Sequence, residues 1–148
     1  MHPNNNYVFT ASSTSPFMHA WEWTGSDFGN KIANPSTLPA GQGNYVTVHP
    51  NGNYIFLGHN ITPFISAWEW TGTGFGNKVA NPSSIVNSSG DAVLVHPNGT
   101  RIFLGYLSGQ DLTSYEWTGS GFGTRYLPDD TDFPLNGQVN RFSFTPKW

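Results

Sequence analysis

Ala-Trp-Glu-Trp-Thr-Gly at positions 20–25 returns at 67–72, and again as Ser-Tyr-Glu-Trp-Thr-Gly at 114–119. The step is 47 residues each time, from Trp23 to Trp70 to Trp117, and His-Pro-Asn keeps that step at His2, His49 and His96. Recurrence at a fixed period of about 40–50 residues means one supersecondary unit, too small to bury its own core, stacked on copies of itself. A solenoid, a propeller or an array is therefore expected, and the repeats run approximately 4–50, 51–97 and 98–146 within a single unit covering 1–148.

The pattern inside one period decides among these. In the middle repeat, 44–49 alternates as a strand, and Pro50-Asn51-Gly52-Asn53 supplies the residues of a tight turn. The segment 54–58 is a second strand, 59–63 a loop, and 64–70 a third strand. Thr71-Gly72-Thr73-Gly74 is a hairpin signal, and 75–80 is a fourth strand closed by Asn81-Pro82. No apolar i, i+3, i+4 pattern of helical length is present. Four short antiparallel strands per period predict an all-β chain of three propeller blades.

Val-x-Val-His-Pro-Asn-Gly followed by Tyr-Ile-Phe-Leu-Gly, at 46–58, resembles the inner strand, turn and second strand of WD40-like or YVTN-type β-propeller repeats. The resemblance covers essentially the whole chain and implies a propeller. Trp-Thr-Gly-x-Gly-Phe-Gly is also similar to the Trp-rich blades of small sugar-binding propeller lectins, which would imply a glycan pocket.

The ends carry a further expectation. His2-Pro3-Asn4 matches the close of a first strand, so the opening repeat starts without one. The segment 139–146 reads as another first strand, aligned at a shift of 49 instead of 47. It is expected to complete the first blade, that of a partner chain. Propellers have about 4 to 8 blades, so three favour a homodimer closing as a six-bladed ring. Three blades excised from a longer parent is the competing reading.

Composition narrows the function. Charged residues make up 10% of the chain and aromatics 16%, against roughly 25% charged in an average soluble domain. The six basic residues are dispersed and the formal net charge is −3, which lacks the footprint of a nucleic-acid binder. No apolar run approaches the length of a membrane span, and the N-terminus lacks a signal-peptide pattern. The absence of cysteine removes disulfides and thiolate chemistry. No localisation follows.

Candidate binding residues are those that recur. Trp23, Trp70 and Trp117 are expected to pack between blades, with sugar stacking as the alternative. Glu22, Glu69 and Glu116 stand nine residues before Lys31, Lys78 and Arg125, a spacing that predicts diagonal ion pairs across a hairpin with Lys31 opposite Ala20. A Glu/Arg/Trp sugar pocket is the alternative. His2, His49 and His96 are expected to belong to turns. His59 and Asn60 fall in a loop that varies between repeats, the usual place for a ligand. Asp129-Asp130-Thr131-Asp132 is expected to be a solvated loop. No cofactor, metal or catalytic set is indicated. The chain therefore reads as a non-enzymatic binding or structural scaffold with a glycan or protein ligand. A propeller lectin is the alternative, and an enzyme acting on polysaccharide through Asp111 or His59 is the third reading.

Overall fold

The computed structural model describes residues 1–107 and 112–128. These residues form eleven strands and no helix. The first sheet holds β1 (Tyr7–Ala11), β2 (Met18–Trp23) and β3 (Phe28–Lys31). The second holds β4 (Gly43–Val48), β5 (Tyr54–His59), β6 (Ile65–Trp70) and β7 (Phe75–Lys78). The third holds β8 (Gly90–Val95), β9 (Arg101–Tyr106), β10 (Leu112–Trp117) and β11 (Phe122–Tyr126). Each sheet is an antiparallel meander in chain order, the arrangement of a propeller blade. The closing strand expected at 139–146, the acidic run at 129–132 and Asp111 lie outside the described residues.

Strand limits follow backbone chemistry closely. The third strand of the middle blade begins at Ile65 and not at Phe64, because Phe64 has φ 68° and leaves the extended region. Phe17, 47 positions earlier, has φ 67°. His59, expected in a loop, is instead the last residue of β5. The fourth strand stops at Lys78, two residues before the expected Ala80.

Two cores lie between blades. Phe9, Met18 and Ala20 of the first pack with Ile55, Leu57, Trp68 and Trp70 of the second. Phe56, Ile65 and Ala67, on the second blade's other face, pack with Ile102, Leu104, Tyr115 and Trp117 of the third. Period-2 alternation sends neighbouring residues of one strand to opposite faces. Consecutive Ile55 and Phe56 therefore serve different cores, which explains why 55–57 is continuously apolar.

The innermost strands approach closely at their starts. A Cβ on Gly43 would be driven into the Phe17 carbonyl oxygen, and one on Gly90 into that of Phe64. Those carbonyls are aimed by the left-handed φ of the two phenylalanines, and Phe64 O also accepts the His59 N–H at 3.0 Å. Gly90→Val is expected to lower stability by about 3 kcal/mol, since the Phe64 carbonyl is backbone and cannot swing aside as a side chain would. Gly74→Val, in open space, should change it by less than about 0.5 kcal/mol. Urea denaturation midpoints of the two variants check the contrast.

Candidate functional site

The recurring tryptophans make the joints between blades. The Trp70 ring sits 5.0 Å from Tyr7, 4.9 Å from Phe9 and 6.1 Å from His2 of the preceding blade. Trp117 repeats this with Tyr54 at 4.9 Å, Phe56 at 4.8 Å and His49 at 6.2 Å. All the tyrosine and phenylalanine contacts are edge-to-face, the geometry that ring quadrupoles favour. Both indoles are 4% exposed, so neither offers a face for a sugar. Trp23 has no blade before it among the described residues and is only half-buried.

The glutamates overturn the expected ion pairs. A β-bulge between Trp21 and Trp23 places Lys31 opposite Trp21, where an unbroken register had put it opposite Ala20. A slip of one residue sends a side chain to the other face. Glu22 Oε2 instead accepts the Asn30 backbone N–H at 3.1 Å and its side-chain amide at 3.0 Å. Glu69 Oε2 accepts the Asn77 N–H at 3.2 Å. Glu116 Oε2 lies 3.1 Å from where a Cβ on Gly123 would stand. The carboxylate thus folds over a glycine and, in the first two blades, holds the bulged fourth strand by its backbone.

The cations diverge in turn. Lys31 faces no glutamate across the hairpin, and the Lys78 ammonium donates to Asn81 Oδ1 and lies 6.0 Å from the Trp68 ring centre. Burial lowers the Lys78 pKa. Arg125 donates from Nε to Thr113 Oγ1 at 3.1 Å and from Nη1 to the Ile85 carbonyl at 3.1 Å. Among the described residues, the pocket of Glu, Arg and Trp that a lectin reading requires is not assembled at these positions.

The His-Pro-Asn histidines act between blades. His49 Nδ1 accepts the Asn51 N–H at 3.2 Å, which leaves the proton on Nε2 for the Gly99 carbonyl at 2.9 Å. His2 Nε2 makes the equivalent 2.9 Å bond to the Gly52 carbonyl. Gly52 and Gly99 have φ of 79° and 75°, and a Cβ on either would stand within 2.9 Å of the histidine ring. Turn membership was legible in the sequence. The clamp onto the next blade was not, although Gly52 and Gly99, three residues beyond His49 and His96, repeat with the same 47-residue step.

His59 and Asn60 part company. His59 is fully buried, its Nε2 2.9 Å from Ser66 Oγ, and its pKa is pushed down to about 4. Burial is the main cause, opposed by the Ile61 backbone and reinforced by Lys78. Asn60 is exposed and donates its backbone N–H to the Gln42 carbonyl at 3.1 Å. Among the described residues, no three His, Cys, Asp or Glu side chains converge as metal ligands, and no helix is long and apolar enough to cross a membrane.

No protein-family model matches the chain, and no curated protein matches it in sequence. Solved structures do match its fold. A 6-phosphogluconolactonase-like protein of Bacteroides fragilis superposes with TM-score 0.67 at 12% identity, over 84% of this chain and 36% of its own. One from Bacteroides uniformis gives 0.68 at 15%, over 87% and 39%. Hydrazine synthase of Kuenenia stuttgartiensis gives 0.63 at 11%, over 87% and 35%. The chain thus spans little more than a third of these structures, and it shares their propeller-like fold.

The buried imidazole of His59 sets a pH dependence. Its folded pKa is below the unfolded value of 6.5, so its contribution to stability is complete above pH 6.5 and is lost as pH falls toward 4. Across that window the loss attributable to His59 approaches about 1.4 kcal/mol per pH unit. Urea unfolding at several pH values should therefore show a shallower slope for His59→Gln than for the parent between pH 6.5 and 4. Equal slopes would assign the acid sensitivity to other groups.

Proposed function

We propose that this chain is a non-enzymatic propeller scaffold that presents its variable loops to a ligand. One observation carries the reading: the chemically capable groups that recur at the 47-residue step are engaged in holding the blades. Trp70 and Trp117 fill joints, Glu22 and Glu69 bind backbone, and His2 and His49 clamp the next turn. What differs between repeats lies in the loops joining second and third strands, where Asn60 and the 49%-exposed Ile61 stand at the surface. Divergent loops on a repeated framework are where binding usually resides.

A glycan-binding reading is favoured by a single feature, the half-buried Trp21 and Trp23 beside Phe28 on the first blade. The names of the fold neighbours suggest lactone hydrolysis, and at such low identity that rests on fold analogy.

Two assays separate the readings. The purified chain is expected to leave 6-phosphogluconolactone hydrolysis at its spontaneous rate. It is also expected to give no calorimetric heat with common mono- and oligosaccharides at millimolar concentration. Turnover proportional to protein concentration would overturn the scaffold reading in favour of an enzyme. Saturable heat, lost in Trp21→Ala, would overturn it in favour of a lectin.

A further inference from the structure

We propose that Asn51 and Asn98 are deamidation sites held latent by the blade joints, and that loss of a histidine clamp releases them. Asn-Gly occurs in the chain at 51–52, 98–99 and 136–137, and the last pair lies outside the described residues. In an Asn-Gly pair the glycine nitrogen, with no Cβ beside it, can reach the preceding carboxamide. Once base has taken the glycine N–H proton, that nitrogen bonds to the asparagine Cγ. The Cγ–Nδ2 bond breaks, and ammonia leaves with a proton drawn from water. A further water opens the cyclic imide at either carbonyl, giving aspartate or isoaspartate.

The joints require this reactive pair. Gly52 and Gly99 have φ of 79° and 75°, and a Cβ on either would stand within 2.9 Å of the histidine ring from the preceding blade. A side chain there would hinder imide closure, but it would also block the clamp. Packing therefore selects the residue that leaves Asn51 and Asn98 vulnerable. The first copy of the turn differs at this place, where Asn5, with φ 62°, follows Asn4 and brings a Cβ.

The same joints suppress the reaction. Gly52 N–H donates to the His49 carbonyl at 2.8 Å, and Gly99 N–H to that of His96 at 2.8 Å, so neither proton is open to base. Both glycines are buried, although both asparagines are exposed. Asn51 Oδ1 accepts the Asn53 N–H at 2.9 Å, which holds the carboxamide in the turn. Asn98 Oδ1 accepts the Thr100 N–H at 3.0 Å and its hydroxyl at 2.8 Å. Each glycine carbonyl is fixed in turn by His2 or His49, both at 2.9 Å. Reaction therefore waits on opening of the turn, and its rate follows the open fraction. Asn98, with the added bond from the Thr100 hydroxyl, is the slower of the two. Isoaspartate lengthens the backbone by a methylene and moves the Gly52 carbonyl off His2, so a joint that has reacted does not reseat.

Ageing at mildly alkaline pH, followed by tryptic peptide mass spectrometry, tests this. Lys31, Lys78, Arg101, Arg125 and Arg141 place the three Asn-Gly pairs on separate peptides. In the folded chain Asn51 and Asn98 should deamidate at least about ten-fold more slowly than in the same chain unfolded in urea. His2→Ala, which removes the clamp on Gly52 and not that on Gly99, should speed Asn51 by about ten-fold and leave Asn98 unchanged. Circular dichroism and the urea midpoint should show the variant folded. A variant that unfolds speeds both sites, and amide hydrogen exchange of Gly52 and Gly99 in the parent chain then decides. Protection of both amides supports the proposal, and exchange at the rate of an unstructured peptide overturns it. Deamidation of the folded parent at the rate seen in urea, or an Asn51 rate indifferent to His2→Ala in a folded variant, also overturns it.

Discussion

Trp70 and Trp117 are the contacts on which the arrangement of sheets depends, because a four-stranded blade has two faces and no means of covering either alone. Each indole enters a recess made by an aromatic pair and a histidine of the preceding blade. Truncating a fully buried tryptophan typically costs about 3–5 kcal/mol, a large share of a small domain's stability. With charges at only 10% of residues, electrostatics contributes little of comparable size. Around the indole, smaller devices set the approach of blades. Gly43 and Gly90 admit a carbonyl at one end of the inner strand, and the histidine clamp closes the other.

Polar residues near these joints show why type and spacing alone mislead about chemistry. Glu22 recurs beside a tryptophan and near a cation, which is also how a sugar pocket would look in sequence. The bulge in the third-to-fourth hairpin redirects it to the Asn30 backbone and sends Lys31 to the other face. His59 resembles a loop ligand until the strand is seen to extend through it, placing the ring against Ser66 out of solvent. In both cases a shift of one residue in register or boundary changes what the side chain meets.

Repetition has a consequence at the ends of an arc. Every internal blade both receives an indole and supplies one. The first blade receives Trp70 while its own Trp23 and Phe28 face outward. Exposed aromatic faces of this kind mark interaction surfaces more often than they are tolerated idly. This chain spans little more than a third of the fold neighbours it matches.

The sequence by itself determined the strand count of the middle blade, the turn positions and the 47-residue period, because period-2 alternation and Gly/Asn turn chemistry are local. It also led to the expectation that Trp70 and Trp117 pack between blades, where both indoles lie 4% exposed. Only the tertiary structure decided which partners they meet, that the glutamates bind backbone, and that His2 and His49 reach the following blade. Those outcomes depend on β-bulges, on the left-handed φ of Phe17 and Phe64, and on contacts between residues about 50 positions apart. The bulges and left-handed residues depart from regular strand geometry and the long-range contacts join different blades, so the alternation within one strand carries no record of them.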